Sequence, residues 1–327
     1  MESLPWIDWD VAAAVGRTVV PPGPALTDDQ VREGVSGQRA AAAAVTDPIR
    51  RVTGLAGPAA STVVVVDRPG WVASNAAMAR ALLDRTGGPQ DPDSIGRRVG
   101  GRLLALEAGL VFGWVATRVL GQFDPFGQPN RLLLVAPNIM AAERALRVPP
   151  DDFRLWVCLH EETHRFQFGH APWLRDHLID LFRELLTSPG PSFAAWRPGN
   201  PGLGVADLLV TPSQRAAFDQ LTAVMSLLEG HADVIMDAAA EGLVRSVGRL
   251  RSLFEQRRDR PGWHQLMSRL LGLNLKRDQY REGSAFCRKV IAVRGVAGLN
   301  EAFGSPGLLP SLTEIRDPQQ WIHRMAG

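Results

Sequence analysis

The chain has 327 residues, of which 45% are hydrophobic and 21% charged, and its formal net charge is +2. This composition is typical of a globular protein, and the near-neutral charge argues against a nucleic-acid-binding protein. The only cysteines are Cys158 and Cys287, so no disulfide framework is indicated. The first residues, MESLPWIDWD, are acidic where a secretory signal would carry positive charge, so we expect a cytoplasmic protein.

The first predicted elements are a helix and two strands. Thr27 and Gln30 form the pattern of a capping box, which predicts that a helix begins near Asp28. Within 61–71, the run STVVVV predicts a buried strand, and the Pro-Gly pair after it predicts a turn. A second strand is predicted over 131–139.

The most apolar long stretch, 103–121, lies between these strands. It contains Glu107 and is interrupted by Arg118, so it falls short of the roughly 20 apolar residues of a membrane-spanning helix. We therefore predict a buried helix and no membrane association. Gly109 and Gly113 would let a neighbouring helix approach this one closely.

The segment after Pro149 and Pro150 is predicted to be a helix, because Asp151 and Asp152 complement the dipole of its first turn. This helix carries the sequence CLHEETHRFQFGH. Gly169, near its end, occupies the position expected of a helix C-cap.

Two further helices are predicted, one over about 172–186 and a longer one that begins after Thr211. Thr211 is followed by Pro212 at the first helical position and by Gln214, which completes a capping box. The Pro/Gly-rich stretch 187–204 is a long loop of the kind that is often functional. With a mostly helical C-terminal third, these elements predict a mainly α protein with a small β-sheet (α+β).

His160 and His164 are candidate metal ligands. Successive helix residues turn by about 100°, so two imidazoles four residues apart project from one face. Glu161 lies beside that face, where it can act as general base on a water held by the metal, whereas Glu162 points further away. The alternative is a surface helix with two polar histidines, but the apolar flanks FRLWVCL and FQF indicate burial, where histidines need partners.

Two residues could supply the third ligand. His170 has the spacing of the H-E-x-x-H-x-x-G-x-x-H pattern, but Gln167 stands where that pattern has glycine, which favours a structural or capping role for His170. Glu229 and Asp233 form an E-x-x-x-D pair on the long helix. In gluzincin-type zinc hydrolases such a glutamate is the third ligand, and the aspartate orients a ligand histidine. His231 lies too far around the helix from Glu229 to serve the same ion easily.

Two histidines and one carboxylate leave a position open for water, which predicts a catalytic zinc site. Tyr280, the single tyrosine, and Lys276, four residues before it, are candidate donors to the oxyanion that forms when a carbonyl is attacked, and His264 is a further candidate. We therefore predict a zinc-dependent hydrolase, most consistent with a peptidase that uses Glu161 as its base. The alternative is a metal-binding accessory protein without turnover, in which the loop 187–204 could cover the fourth position.

The chain resembles the actinobacterial zincin-like metallopeptidase family, which is often labelled as associated with biosynthesis of a deazaflavin redox cofactor. The segments that carry the resemblance span nearly the whole chain and include IDWDVAAAVG, RVLGQFDPFG, LLLVAPNI, HEETHRFQF, EGHADVIMD and DPQQWIHR. The resemblance implies one zincin-like domain over 1–327, with a helical and small-sheet half over about 1–148 and a helical half carrying the metal site over about 149–327.

The resemblance also implies metal ligands at His160, His164 and Glu229. It does not identify the substrate, which we expect to be a peptide or a protein. Under the alternative hypothesis, the accessory protein would be linked to deazaflavin cofactor metabolism.

Overall fold

Helices and one small sheet build the part of the chain that the computed structural model describes, which is residues 6–86, 92, 94–127, 129–187, 211–257 and 277–326. The first half contains α1 (Trp9–Val19), α2 (Asp28–Ala44), α3 (Thr46–Thr53), β1 (Ser61–Val66), α4 (Arg68–Arg85), α5 (Ile95–Ala116), β2 (Gly121–Asp124), β3 (Asn130–Val135) and α6 (Ala136–Leu146). The second half contains α7 (Pro150–His170), α8 (Trp173–Thr187), α9 (Pro212–Ala240), α10 (Val247–Arg257), α11 (Arg277–Asn300), α12 (Leu312–Arg316) and α13 (Pro318–Arg324). This architecture confirms the predicted mainly α fold with a small sheet.

The sheet has three strands in the order β1-β3-β2, so β3 is central. β1 pairs with β3 in parallel, with Val64 opposite Leu133, and β2 pairs with β3 antiparallel, with Phe123 opposite Leu132. β2 is therefore an edge strand, and it lies against α7. This short strand was not predicted from the sequence.

Alternate residues of β3 belong to two different apolar clusters, because successive side chains of a strand point to opposite faces. Leu132 and Leu134 belong to a large cluster with residues of α2, α7, α8, α9 and α11. Leu133 and Val135 belong to a smaller cluster with residues of α4 and α5. The helix that carries the histidines therefore packs on one face of the sheet, and the layer of α4 and α5 packs on the other.

Both predicted capping boxes are present. Thr27 Oγ1 accepts from the backbone N of Gln30 at 3.3 Å, and Thr211 Oγ1 accepts from the backbone N of Gln214 at 3.1 Å. Helices α2 and α9 begin where these boxes predict, and α7 begins at Pro150 as its proline and acidic residues predict.

The prediction of a turn at the Pro-Gly pair after β1 was wrong. Pro69 and Gly70 lie in the first turn of α4, and Asp67 caps that helix by accepting from the backbone N of Gly70 at 2.7 Å. Proline is favoured at this position because its missing N–H would have no partner there. The predicted second strand is likewise too long, because β3 ends at Val135 and a helix follows at once.

The sequence predicted a buried helix here, but α5 is buried on one side only. A Cβ on Gly109 would lie 2.6 Å from the carbonyl oxygen of Ala12, so α1 does approach the glycines closely. The large apolar side chains exposed on the helix are Ile95, Val99, Leu103, Leu106 and Leu110. Among the described residues, α5 alone is long and apolar enough to cross a membrane by length and composition.

Gly169 lies inside α7 and is not its C-cap, because the helix continues through His170. The segment 57–59, just before β1, crosses the helix here. A Cβ on Gly169 would lie 2.3 Å from the backbone N of Ala59, which donates to the carbonyl of Arg165 at 2.9 Å. The glycine is thus required for close approach of two backbones and not for a left-handed conformation.

We expect Gly169→Ala to destabilise the protein by about 1–3 kcal/mol, because the new methyl group overlaps a backbone that is hydrogen-bonded in place. Gly248→Ala is the matched control, since a Cβ there meets nothing within 4 Å and alanine favours the helix. Urea denaturation measures both free energies of unfolding. Equal effects of the two substitutions would contradict the close approach.

Candidate metal centre

Helices α7 and α9 pack together and bring three metal-binding side chains to one point. His160 and His164 of α7 and Glu229 of α9 have ligand atoms within 4.8 Å of one another. The Nε2 atoms of the two histidines are 3.3 Å apart. Glu229 places Oε2 3.4 Å from His160 Nε2 and Oε1 3.7 Å from His164 Nε2.

These separations are close to those between the ligands of a divalent ion. A tetrahedral zinc ion with bonds of about 2.0–2.2 Å has its donor atoms about 3.3–3.6 Å apart. Both histidines direct Nε2 into the same space, where the two nitrogens cannot each carry a proton without repelling one another. A donor set of two imidazoles and one carboxylate also leaves a fourth coordination position for water or a substrate.

The two histidines differ in their electrostatics. Burial disfavours charge on His160, but its hydrogen bond with Glu229 and the charge of that carboxylate prevail and raise the pKa of His160 to about 9. Burial lowers the pKa of His164. Without a metal, His160 is therefore the protonated, positively charged imidazole at neutral pH, and His164 is neutral.

Asp233 lies one turn after Glu229 on the same face of α9. Its Oδ1 is 4.0 Å from His160 Nδ1, close enough for electrostatic attraction but too far for a hydrogen bond. Its Oδ2 accepts from Ser284 Oγ of α11 at 2.8 Å. Ser284 is buried, and it bonds the carboxylate oxygen other than the one nearest His160.

Two glycines allow Ser284 to reach Asp233. A Cβ on Gly230 would lie 2.3 Å from the carbonyl carbon of Gly283, and a Cβ on Gly283 would lie 2.1 Å from the carbonyl oxygen of Ser226. Helices α9 and α11 therefore touch through their backbones beside the metal ligands. The sequence analysis did not identify Gly230, Gly283 or Ser284. A glycine within each of two helices, as Gly230 in α9 and Gly283 in α11, is nevertheless a signal that the helices pack closely.

Glu161 is buried between the ligands and the edge strand β2. Its carboxylate accepts a hydrogen bond from the backbone N of Phe123, and a Cβ on Gly121 would lie 2.6 Å from Glu161 Cγ. Burial is the main cause that raises the pKa of Glu161 to about 7. A carboxyl group that changes protonation near neutral pH is suited to general base catalysis.

Glu162 has a different environment from its neighbour. Its Oε1 accepts from Thr46 Oγ1 at 2.9 Å, and its Oε2 accepts from Arg165 Nη1 at 2.7 Å. The bond from Thr46 joins α3 to α7, the bond from Arg165 lies within α7, and together they engage both oxygens. The arrangement favours Glu161 over Glu162 as the base.

The remaining predicted site residues lie outside the cluster or outside the described part of the chain. His170 Nδ1 accepts from the backbone N of Ala56 at 3.1 Å, which is a structural role of the kind predicted for it. Tyr280 belongs to the first turns of α11, but its side chain is outside the described residues, as are Lys276 and His264. Residues 188–204 of the predicted functional loop are also outside them.

Gln167 belongs to the site, although the sequence indicated only that it replaces a glycine. Its Oε1 is 2.8 Å from His164 Nδ1, and its Nε2 is 3.0 Å from His231 Nδ1. His231 is fully buried, and burial lowers its pKa to about 4, so it is neutral. The signal that could have found Gln167 is its position three residues after His164, since residues i and i+3 of a helix are neighbours.

Comparison with known proteins agrees with this geometry. Residues 7–322 match the family model described as zincin-like metallopeptidase. The chain is also similar to a crystal structure from Chloroflexus aurantiacus described as "a putative hydrolase with a novel fold", with a TM-score of 0.73 and 31% sequence identity over 98% of this chain and 99% of that chain. No curated protein matches the chain.

Metal binding is expected to release a proton. The proton on His160, whose pKa is about 9, must leave before Nε2 can bind an ion, whereas Glu161, whose pKa is about 7, is already mostly deprotonated at pH 8. We expect about one proton per ion at that pH, and an apparent affinity that rises with pH up to about 9. Titration calorimetry in buffers of different ionisation enthalpy measures the release. No release at pH 8 would show that His160 is neutral in the metal-free protein.

Asp233→Asn is expected to weaken zinc binding about 10–100-fold, because a neutral amide attracts and orients His160 less strongly than a carboxylate does. Asp237→Asn is the control, since Asp237 lies one turn further along α9 and pairs with Arg251 at 2.9 Å. Competition with a chromophoric chelator gives both dissociation constants. An unchanged constant for Asp233→Asn would mean that the carboxylate does not support His160.

Proposed function

Because the chain belongs to the zincin-like metallopeptidase family, we propose that it is a zinc-dependent hydrolase that cleaves a peptide or protein substrate in the cytoplasm. The observation that carries the proposal is the convergence of His160, His164 and Glu229, whose ligand atoms lie within 4.8 Å of one another, with the two Nε2 atoms 3.3 Å apart. A buried carboxyl group, Glu161, stands beside them with its pKa raised to about 7.

A bound zinc ion would lower the pKa of a water molecule and polarise the carbonyl of the substrate. His160, His164 and Glu229 would hold the ion, and Glu229 would supply one compensating negative charge within a site that is nearly closed to solvent. Glu161 would accept a proton from the attacking water and return it to the leaving amine. The amide N–H of Phe123 fixes the position of the Glu161 carboxylate for both transfers.

Tyr280 is the proposed donor to the carbonyl oxygen as negative charge develops on it. It precedes Ser284 by one turn of α11, and Ser284 bonds Asp233 beside the ligands. Tyr280→Phe should then lower kcat while KM changes less, because the bond strengthens in the transition state.

A second candidate function is a metal-binding accessory protein without turnover, linked to deazaflavin cofactor metabolism. One observation favours the absence of turnover: the side chains of the ligands are largely shielded, with 18% of His160, 12% of His164 and 5% of Glu229 exposed. A hydrolase needs a path by which a substrate carbonyl reaches these atoms.

Glu161→Gln separates the two functions. For a hydrolase we expect it to retain stoichiometric zinc and to lose about 10²–10⁴-fold in kcat/KM on a cleavable peptide library, because the amide cannot accept the proton. Glu162→Gln is the matched control: it weakens a structural ion pair with Arg165 and should leave turnover per folded molecule close to that of the wild type.

The measurements are metal content by mass spectrometry and peptide cleavage by chromatography. Absence of bound metal in the wild-type protein would overturn the metallohydrolase proposal. Bound zinc together with equal, unchanged cleavage by both glutamine variants would exclude Glu161 as the base. Bound zinc without any cleavage by the wild type would favour the accessory function.

A further inference from the structure

We infer that Gln167 is a positioning residue that fixes the tautomer and ring orientation of His164, and that His231 and Asn300 lock it in place. The inference rests on the proposed metal centre, because His164 is positioned for an ion. It assigns a role to three polar residues outside the ligand set and the general base.

The first step is the bond between Gln167 and His164. An amide oxygen only accepts, so the contact of 2.8 Å between Gln167 Oε1 and His164 Nδ1 requires the proton of the neutral ring on Nδ1. The lone pair is then on Nε2, the atom that faces His160 and Glu229. His164 is thereby held in the only neutral tautomer that can bind an ion at that point.

The second step is the orientation of the Gln167 amide itself. Its Nε2 donates to the backbone carbonyl of Leu228 at 2.9 Å. A flipped amide would place its oxygen against this carbonyl, where two acceptors repel, and would leave the carbonyl without this donor. The main chain of α9 therefore dictates which atom of the amide faces His164.

The third step extends the chain of hydrogen bonds beyond Gln167. His231 Nδ1 accepts from Gln167 Nε2 at 3.0 Å, so His231 carries its proton on Nε2, which is 3.4 Å from Asn300 Oδ1. Asn300 Nδ2 then donates to the carbonyl of Thr53 at 2.6 Å. Donor and acceptor alternate from His164 to Thr53 without a conflict. The carbonyl of Thr53 ends the chain of hydrogen bonds, and the carbonyl of Leu228 fixes the Gln167 amide within it.

Burial strengthens this chain of hydrogen bonds. Gln167 and His231 are both fully buried, so water does not compete for their hydrogen bonds, and each bond left unmade would carry a desolvation penalty. This chain of hydrogen bonds joins α7, α9, the end of α11 and the end of α3 around the imidazole of His164.

The two ligand histidines are thus supported differently. His160 has the carboxylate of Asp233 near its outer nitrogen, whereas His164 has a neutral amide. The amide adds no negative charge to a site that already contains Glu229 and Glu161. A glycine at position 167 would leave His164 Nδ1 without this acceptor, which gives a physical reason for glutamine there.

The test uses Gln167→Met, which keeps the length and the burial of the side chain but removes both polar atoms. Long-range ¹H–¹⁵N NMR on the metal-free protein reports the tautomer of each neutral histidine. We expect His164 of the wild type to carry its proton on Nδ1 and that of the variant to populate both tautomers. Zinc affinity measured by chelator competition should fall about 10–100-fold.

Gln220→Met is the matched control. Gln220 lies on α9 and, like Gln167, contacts a histidine, with Nε2 3.3 Å from His177 Nε2, but it is outside the ligand cluster. We expect no change in zinc affinity or in the His164 tautomer. A similar loss in both variants would point to general destabilisation and would overturn the specific role of Gln167.

The tautomer of the wild-type protein needs neither metal nor a variant, so it decides the inference even if Gln167→Met does not fold. A wild-type His164 protonated on Nε2 would overturn it, as would a folded Gln167→Met with unchanged tautomer and zinc affinity. Absence of zinc binding by the wild type would refute the proposed function alone, because the Nδ1 tautomer would still be established independently.

Discussion

The contact between α7 and α9 is the constraint on which the site depends. Neither helix carries a complete donor set, because α7 supplies two imidazoles and α9 supplies the carboxylate. The distance between the helices must therefore be correct to within a few tenths of an ångström. Apolar packing provides most of this, with Leu159 and Phe166 of α7 and Leu227 and Leu228 of α9 in one buried cluster. The polar contacts then select one register among those that packing would tolerate.

Local geometry explains why part of the site could be predicted from the sequence. A helix places residues four apart on one face, so His160, His164 and the Glu229–Asp233 pair could be proposed before their partners were known. Capping residues act over three positions, so the starts of α2 and α9 were equally predictable. What these features share is that all their determinants lie within one helical turn.

The elements that were not predicted depend on contacts distant in sequence. Strand β2 has only four residues, GQFD, and exists because β3 pairs with one edge and Glu161 accepts from the other. Gly169 was predicted to end its helix, whereas its role is to make room for the backbone of segment 57–59, more than a hundred residues earlier. The bond from Gln167 to His231 spans 64 residues and that from His231 to Asn300 spans 69, so no local pattern indicates either.

Two backbone carbonyls anchor the chain of hydrogen bonds beside His164, so its positions differ in how much sequence change they tolerate. Every residue has a carbonyl, so substitutions at Thr53 or Leu228 that preserve the helices leave both carbonyl acceptors in place. The interior positions have no such freedom, because each must donate on one side and accept on the other. Among relatives of this fold, positions 167, 231 and 300 are therefore expected to vary together, whereas positions 53 and 228 vary under packing constraints alone.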